Sequence, residues 1–75
     1  MSFSLEQIVI FEAVSRLGSF TAAAREVFRA KSAVSHSIKA LEESLGLKLL
    51  ERSTRHVELT PEGELILAKA RELLT

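Results

Sequence analysis

The stretch that most constrains this chain is residues 31–46, KSAVSHSIKALEESLG, which has the spacing of one helix with two different faces. Four aliphatic residues recur every three or four positions, namely Val34, Ile38, Leu41 and Leu45. At about 100° per residue they form one narrow stripe, which must be buried. Polar and basic side chains centre roughly 140° away from the stripe. This second face consists of Ser32, Ser35, His36 and Lys39.

The charge of this helix changes along its length. The polar face of its first half contains no acid, whereas Glu42 and Glu43 stand in its second half. The first half can therefore approach an anionic surface without repulsion, and the second half cannot. Gly46 supplies the C-terminal stop. Taken alone, such a helix would be interpreted as part of a small bundle with a solvated face.

The preceding segment turns this pattern into a helix-turn-helix unit. Residues 19–28, SFTAAAREVF, predict a short helix over 21–28 with Ser19 or Thr21 as its N-cap. Arg29, Ala30 and Lys31 separate it from the second helix. Two helices joined by a turn of about three to four residues form a unit whose second helix enters the DNA major groove. The side chains assigned to the core are Phe20, Ala24, Val27 and Phe28.

The N-terminus of the short helix is a candidate phosphate site. Its free amides and the hydroxyls of Ser19 and Thr21 form a cradle suited to a phosphate. The alternative is that the hydroxyls only cap the helix. The two roles are compatible.

Residues 47–59 predict two short strands around a polar turn, which together make a wing. Val57 and Leu59 alternate with Glu58, which is a strand pattern. Within the turn, Arg55 and Arg52 are candidates for the DNA backbone or the minor groove, whose negative potential attracts Arg. The alternative is a solvated hairpin in which Glu51 pairs with one of these arginines.

The flanking helices carry clear start signals. Ser4 and Gln7 fit a capping box for a supporting helix over 1–17. Thr60 and Pro61 begin a last helix, with Thr60 as N-cap. This last helix is apolar on two sides and needs two partners, the body of the domain and the same helix of a second chain. The residues assigned to this dimerisation contact are Leu65, Ile66, Ala70, Leu73 and Leu74.

Three segments together resemble the N-terminal domain of LysR-type bacterial transcription regulators: SFTAAAREV, SAVSHSIKALEESLG and LLERSTRHVELTPEGE. The resemblance runs from about Leu5 to the end of the chain. It implies a mainly α fold, a winged helix-turn-helix DNA-binding domain over 1–59 with a short two-stranded wing. Residues 60–75 would be the start of a C-terminal linker and dimerisation helix.

The resemblance also implies partners. The expected target is double-stranded DNA with an AT-rich, interrupted inverted repeat. The expected assembly is a homodimer through the C-terminal helix, with a tetramer allowed for the parent protein. An effector ligand would bind a separate domain, which is expected to lie outside these residues, since the chain stops in mid-helix at Thr75.

Two departures from the family pattern lie in the turn. The family usually has a small aliphatic residue and then a capping Ser, where this chain has Arg29 and Ala30. The cap of the recognition helix is therefore weakened. Lys31 and Ser32 replace the usual Gln and Pro or Ser. Lys31 could bind a guanine through O6 and N7, or a phosphate.

The net charge is zero, which by itself argues against a nucleic-acid binder. Residues 29–56, however, contain six Lys or Arg and only three Glu. The local electrostatic potential of this segment, rather than the net charge of the chain, determines which charged partner binds there. The candidate DNA-binding residues are Ser19, Thr21, Arg29, Lys31, Ser32, Ser35, His36, Lys39, Arg52 and Arg55. The chain has no Cys, no long apolar run and no secretory signal, so a cytoplasmic protein is expected.

No enzyme chemistry is expected. Ser35 and His36 are adjacent, and neighbouring side chains on a helix diverge by about 100°. His36 and His56 without any Cys do not make a zinc site, and no cofactor or metal is expected. Two function classes remain: a sequence-specific DNA-binding domain, and a small helical module that binds another protein through its apolar last helix. The acid-free face favours the first.

Overall fold

The computed structural model describes residues 3–52 and 57–75 and has the mainly helical winged fold that the sequence predicts. Four helices surround a small core, and two short strands form the base of the wing. In chain order the elements are α1 (Leu5–Leu17), α2 (Phe20–Val27), α3 (Lys31–Leu45), β1 (Leu50–Arg52), β2 (Val57–Leu59) and α4 (Pro61–Leu74).

Local hydrogen bonds explain where the first two helices begin. The Gln7 backbone N–H donates to Ser4 Oγ at 3.2 Å, and the Ser4 N–H donates to Gln7 Oε1 at 2.9 Å, so the capping box is confirmed. The Ala22 N–H donates to Ser19 Oγ at 3.1 Å. Ser19 is therefore the N-cap of α2, and Thr21 lies inside the helix. The predicted starts at residues 1 and 21 are corrected to Leu5 and Phe20.

The assignment of Phe28 to the core is wrong. Phe28 is the C-cap of α2 and takes the left-handed conformation, with φ 57°, and its surface is 92 % exposed. Because that conformation turns the chain out of the helix, the ring leaves the apolar face on which helical spacing would place it. The other three assignments hold: Ala24 is buried, and Phe20 and Val27 pack against the core.

The core confirms the apolar stripe of α3. Val34, Ile38 and Leu41 are fully buried, and Leu45 packs against the cluster. The helix α3 packs mainly on α1 and α2, and the largest other buried side chains of the core are Phe11, Val14, Leu49 and Leu50. This packing holds the opposite face of α3 at the surface.

The wing strands pair antiparallel, with Leu50 opposite Leu59 and Arg52 opposite Val57. Leu50 turns into the core. In the part of the chain that the structure describes, no helix is long and apolar enough to cross a membrane.

Candidate nucleic-acid interface

The exposed face of α3 is the centre of the candidate site. Lys31, Ser32, His36 and Lys39 are exposed, and Ser35 is half-buried. The first turn of α3 contains no acidic residue. Within residues 3–52 and 57–75, Lys31 and Lys39 form no ion pair. Sequence spacing therefore placed this face correctly, and its ammonium groups are available to an anion.

The N-terminus of α3 lacks a side-chain cap. Its N-cap is Ala30, in an extended conformation with φ −67° and ψ 150°, and no side chain accepts a hydrogen bond there. The Ala30 carbonyl still accepts from the Val34 N–H at 3.1 Å. The amides of the first turn, which a capping hydroxyl would normally accept from, can therefore donate to an anion.

The N-terminus of α2 combines capping with free donor capacity. Ser19 Oγ accepts from Ala22, as described above, and its hydroxyl hydrogen remains a donor. Thr21 is exposed, and the first turn of α2 contains no acid. The two roles considered from the sequence are chemically compatible in this arrangement.

Arg29 does not stand alone, because its guanidinium pairs with the Glu6 carboxylate of α1. The two side chains are 52 % and 54 % exposed, so water screens the pair. Sequence reasoning did not find this contact. The residues are 23 positions apart, and no local pattern links them.

Arg16 forms a second set of ion pairs behind the interface. It binds Glu12 at 3.0 Å and also pairs with Glu26, joining α1 to α2. The hydrogen bonds to these two carboxylates raise the pKa of Arg16, that to Glu26 most. The hydrogen bond from Arg16 lowers the pKa of Glu26. The one positive charge of Arg16 is balanced by these two carboxylates, which leave the group with a net charge of −1, so Arg16 adds no free cation to the site.

Glu42 has a structural role that the sequence did not reveal. Its Oε2 accepts hydrogen bonds from the backbone N–H groups of Leu49 at 2.8 Å and Leu50 at 3.2 Å. This carboxylate therefore faces the protein backbone, whereas the neighbouring Glu43 is exposed. The acid repulsion expected for the second half of α3 comes mainly from Glu43.

The proposed wing contacts lie at the edge of the described structure. Arg55 and the side chain of Arg52 lie outside the described residues, and their assignment stays a prediction. The backbone of Arg52 ends β1 opposite Val57.

The dimerisation residues divide into two groups. Leu65 is 70 % exposed, and Leu73 and Leu74 are also exposed. Ile66 is half-buried against the core, and Ala70 is 1 % exposed inside it. Ala70 therefore belongs to the domain's own core, because it stands on the same side of α4 as the buried Leu67. The large apolar side chains that α4 exposes are these three leucines, of which Leu74 is the least exposed.

No group of three His, Cys, Asp or Glu within the described ranges could hold a metal ion. The arrangement is suited to binding by hydrogen bonds, because hydroxyls, an imidazole and ammonium groups lie on the exposed face of α3. Such groups donate to phosphates and base edges.

Known proteins match this chain in both sequence and structure. A family model described as bacterial regulatory helix-turn-helix protein, lysR family, matches residues 5–64. An HTH-type transcriptional regulator of Sinorhizobium fredii is 54 % identical over 67 residues, which cover 89 % of this chain and 22 % of that protein. The chain spans about a quarter of the length of the curated relatives it matches.

Two solved structures that share the fold are DNA complexes. The BenM_DBD complex with catB site 1 DNA has a TM-score of 0.92 and 42 % identity, covering 96 % of this chain and 80 % of that chain. The CbnR_DBD–DNA complex has a TM-score of 0.92 and 38 % identity, covering 96 % of this chain and 83 % of that chain.

Proposed function

Because this chain is a helix-turn-helix DNA-binding domain that belongs to the bacterial LysR family, we propose that α3 enters the major groove and recognises a specific double-stranded sequence. The observation that carries this proposal is the exposed, acid-free first half of α3 opposite its buried stripe. DNA recognition requires such a face, and a module that binds protein through α4 does not.

The residues of this face divide by the chemistry they can perform. Ser32, Ser35 and His36 are short enough to make one or two hydrogen bonds with base edges. Lys39 stands one turn after His36 and suits a phosphate. Lys31, at the start of the helix, has the reach to bind guanine O6 and N7, and we assign it to the base.

Phosphate contacts set the position of α3. The amides of the first turn of α2, with the hydroxyls of Ser19 and Thr21, bind one backbone phosphate. Arg29 can reach the backbone only by leaving Glu6 or by sharing its guanidinium between the two anions. The arginines of the wing, Arg52 and Arg55, bind the backbone or a narrow AT-rich minor groove.

We assign the second apolar side of α4 to a homodimer. Leu65 and Leu73 are the most exposed leucines of α4, and a second copy of the helix would cover them. Two α3 helices held in one dimer would bind an interrupted inverted repeat, since paired half-sites mirror the symmetry of the protein. The parent protein would act in the cytoplasm, where the bacterial chromosome lies. It would bind its effector outside this chain, and two of its dimers could associate into a tetramer.

The same exposed leucines support a second candidate function, in which α4 binds a different protein. The two candidates differ in DNA binding. They also differ in whether the isolated chain pairs with itself at high concentration.

The test begins with selection of binding duplexes from a random pool by the wild-type chain. Enrichment of one sequence, and binding whose log affinity falls against log salt with a slope steeper than about −4, is expected for a dimer that neutralises several phosphates. The His36→Ala variant should lose about 1–3 kcal/mol on the selected duplex and less on a scrambled duplex.

Ser44→Ala is the matched control, because Ser44 lies on the same helix away from the exposed face. It should leave both affinities unchanged. If the pool yields no enriched sequence, or if His36→Ala weakens both duplexes equally with its circular dichroism unchanged, then recognition through this face is wrong.

A further inference from the structure

The peptide segment Lys48–Leu50 is held from two sides by different elements. It runs from the loop after α3 to the first residue of β1, and its Leu49 and Leu50 are both buried. Its N–H groups are bound by a residue of α3, and its carbonyl groups are bound by the residue that begins α4. The segment is therefore a hydrogen-bonded junction between these two helices.

Glu42 provides the α3 side of this junction. Its single oxygen Oε2 accepts from Leu49 and Leu50, and the Glu42 carbonyl accepts from the Leu47 N–H at 3.2 Å. Hydrogen bonds to an ionised acceptor are shorter and stronger than those between neutral groups. The last turns of α3 are thus joined to the start of β1 by hydrogen bonds as well as by the covalent backbone.

Thr60 provides the α4 side. Its Oγ1 donates to the Lys48 carbonyl at 2.5 Å and accepts from the Gly63 N–H at 2.9 Å. Its backbone N–H donates to the Leu49 carbonyl at 3.0 Å. Thr60 is the one buried polar residue of the described chain, and all these bonds depend on its place at the N-cap of α4.

Gly63 brings α4 against the same segment. A Cβ built on Gly63 would lie 2.1 Å from the Leu49 carbonyl oxygen and 3.1 Å from Leu59 Cδ2. No side chain fits in that space. The backbone of α4 therefore lies directly on the Lys48–Leu50 segment.

The hydrogen bonds matter because α3 and α4 do not pack extensively on each other and share only α1 as a main packing partner. The main partners of α3 are α1 and α2, whereas α4 packs on α1 and β2. The helix α1 packs against both, but the hydrophobic effect that drives this packing is non-directional. Hydrogen bonds weaken steeply when their angles change. The Lys48–Leu50 segment is thus the directional link between the two helices.

We propose that Glu42 and Thr60 are positioning residues, which fix the angle between α3 and α4 and thereby set the half-site spacing that a dimer accepts. This inference rests on the proposed function, in which α4 pairs two chains and each α3 occupies one half-site. Neither residue is required to touch DNA. In such a dimer, any change of the angle within each chain moves the two recognition helices relative to each other.

The spacing of DNA half-sites measures this angle. One base pair shifts a half-site by about 3.4 Å along the helix axis. A rigid dimer should therefore bind poorly when one base pair is added or removed between half-sites. A dimer with a loosened junction should accept both altered duplexes.

The probes are the duplex selected by the wild-type chain, two versions with one base pair inserted or deleted at its centre, and a duplex with a single half-site. The wild type should lose at least about tenfold in affinity on the altered spacings, because preventing simultaneous engagement removes an avidity gain of about 10²–10⁴. Glu42→Ala should bind the two altered spacings and the selected duplex within about threefold of one another, and should keep its affinity for the single half-site.

Two variants control for charge. Glu42→Gln retains an acceptor oxygen without the charge and should keep the spacing preference of the wild type. Glu43→Gln removes the same charge from an exposed neighbour and should also keep it. A merely stabilising role for Glu42 would lower the melting temperature without changing the spacing preference of the folded chain.

The proposal is overturned if folded Glu42→Ala discriminates spacings as the wild type does. If Glu42→Ala does not fold, the comparison is made between Thr60→Ser, which retains the hydroxyl, and Thr60→Val, which does not. Equal spacing preference in those two variants then overturns it. Failure of the proposed function is distinguished by the wild type alone, which would select no paired half-sites.

Discussion

The Glu42 Oε2 atom lies 2.8 Å from the backbone nitrogen of Leu49, so an acidic side chain of α3 binds the main chain just before β1. Replacing Glu42 with Ala leaves two amide donors of a buried segment without their acceptor. We expect the free energy of unfolding to fall by about 2–3 kcal/mol, as measured by urea denaturation. Glu43→Ala, on an exposed neighbour, should change it by less than about 0.5 kcal/mol. Equal effects of the two changes would refute the role given to the Glu42 carboxylate.

The uncapped N-terminus of α3 offers a stabilising change. Ala30 already has the extended backbone of an N-cap residue, and a Ser there could accept from the first-turn amides. We expect Ala30→Ser to raise the free energy of unfolding by about 1 kcal/mol. Ala33→Ser, three residues further inside the same helix, is the matched control and should stabilise nothing. A destabilised Ala30→Ser variant in thermal melts would contradict this account.

Gly63 should tolerate no substitution, although it lies in a helix. In an exposed helix, replacing Gly with Ala stabilises by about 0.5–1 kcal/mol. At Gly63 the added methyl would meet the Leu49 carbonyl oxygen, so we expect the opposite sign. The loss should be about 1–3 kcal/mol or more, as for other overpacked sites. Calorimetry should measure the stability of Gly63→Ala, with Glu64→Ala on the exposed side of α4 as the control. If Gly63→Ala is as stable as the wild type, then α4 can move away from the Lys48–Leu50 segment.

The pair between Glu6 and Arg29 predicts an effect on DNA binding. Glu6→Gln frees the Arg29 guanidinium for a phosphate. We expect higher DNA affinity and a salt slope that is steeper by about 0.9 per chain. Glu12→Gln removes the same charge from α1 but leaves Arg29 paired, so its salt slope should match the wild type. An unchanged slope for Glu6→Gln would show that Arg29 does not reach the DNA backbone.

The bond between Arg16 and Glu26 predicts a dependence of stability on acid pH. Hydrogen bonding to Arg16 lowers the pKa of Glu26 below its ordinary 4.5. The stability that the Glu26–Arg16 bond contributes is therefore fully present above pH 4.5, the ordinary pKa of Glu. It is lost as the pH falls through the lowered pKa of Glu26 in the folded chain. We expect the wild type to lose more stability below pH 4.5 than Arg16→Gln does. Arg71→Gln, on exposed α4, should keep the wild-type acid dependence in chemical denaturation at each pH. If the free energies of unfolding of wild type and Arg16→Gln fall by the same amount between neutral and acid pH, then the Arg16–Glu26 bond is not the cause of the acid dependence.

Features that depend on neighbours two to four residues apart could be predicted from the sequence. The buried stripe of α3, the caps at Ser4 and Thr60, and the base of the wing all follow from side-chain spacing and local hydrogen bonding. The exposed face of α3 was predictable for the same reason, because burying one stripe of a helix leaves the opposite face in water.

Other features needed the packed chain. Phe28 has the composition of a core residue, yet the left-handed conformation that ends α2 turns it outward. Glu6 meets Arg29 from 23 positions away, and Glu42 reaches amides seven and eight residues ahead, beyond its own helix. Glycine is unfavourable inside a helix, and the reason for Gly63 in α4 becomes clear only from the closeness of the Leu49 carbonyl oxygen. The sequence by itself determined which segments are helices and which side of α3 is polar, because those depend on local periodicity. Only the tertiary structure decided which charges are neutralised and how α3 is joined to α4, because those depend on distances between segments that the chain must first bring together.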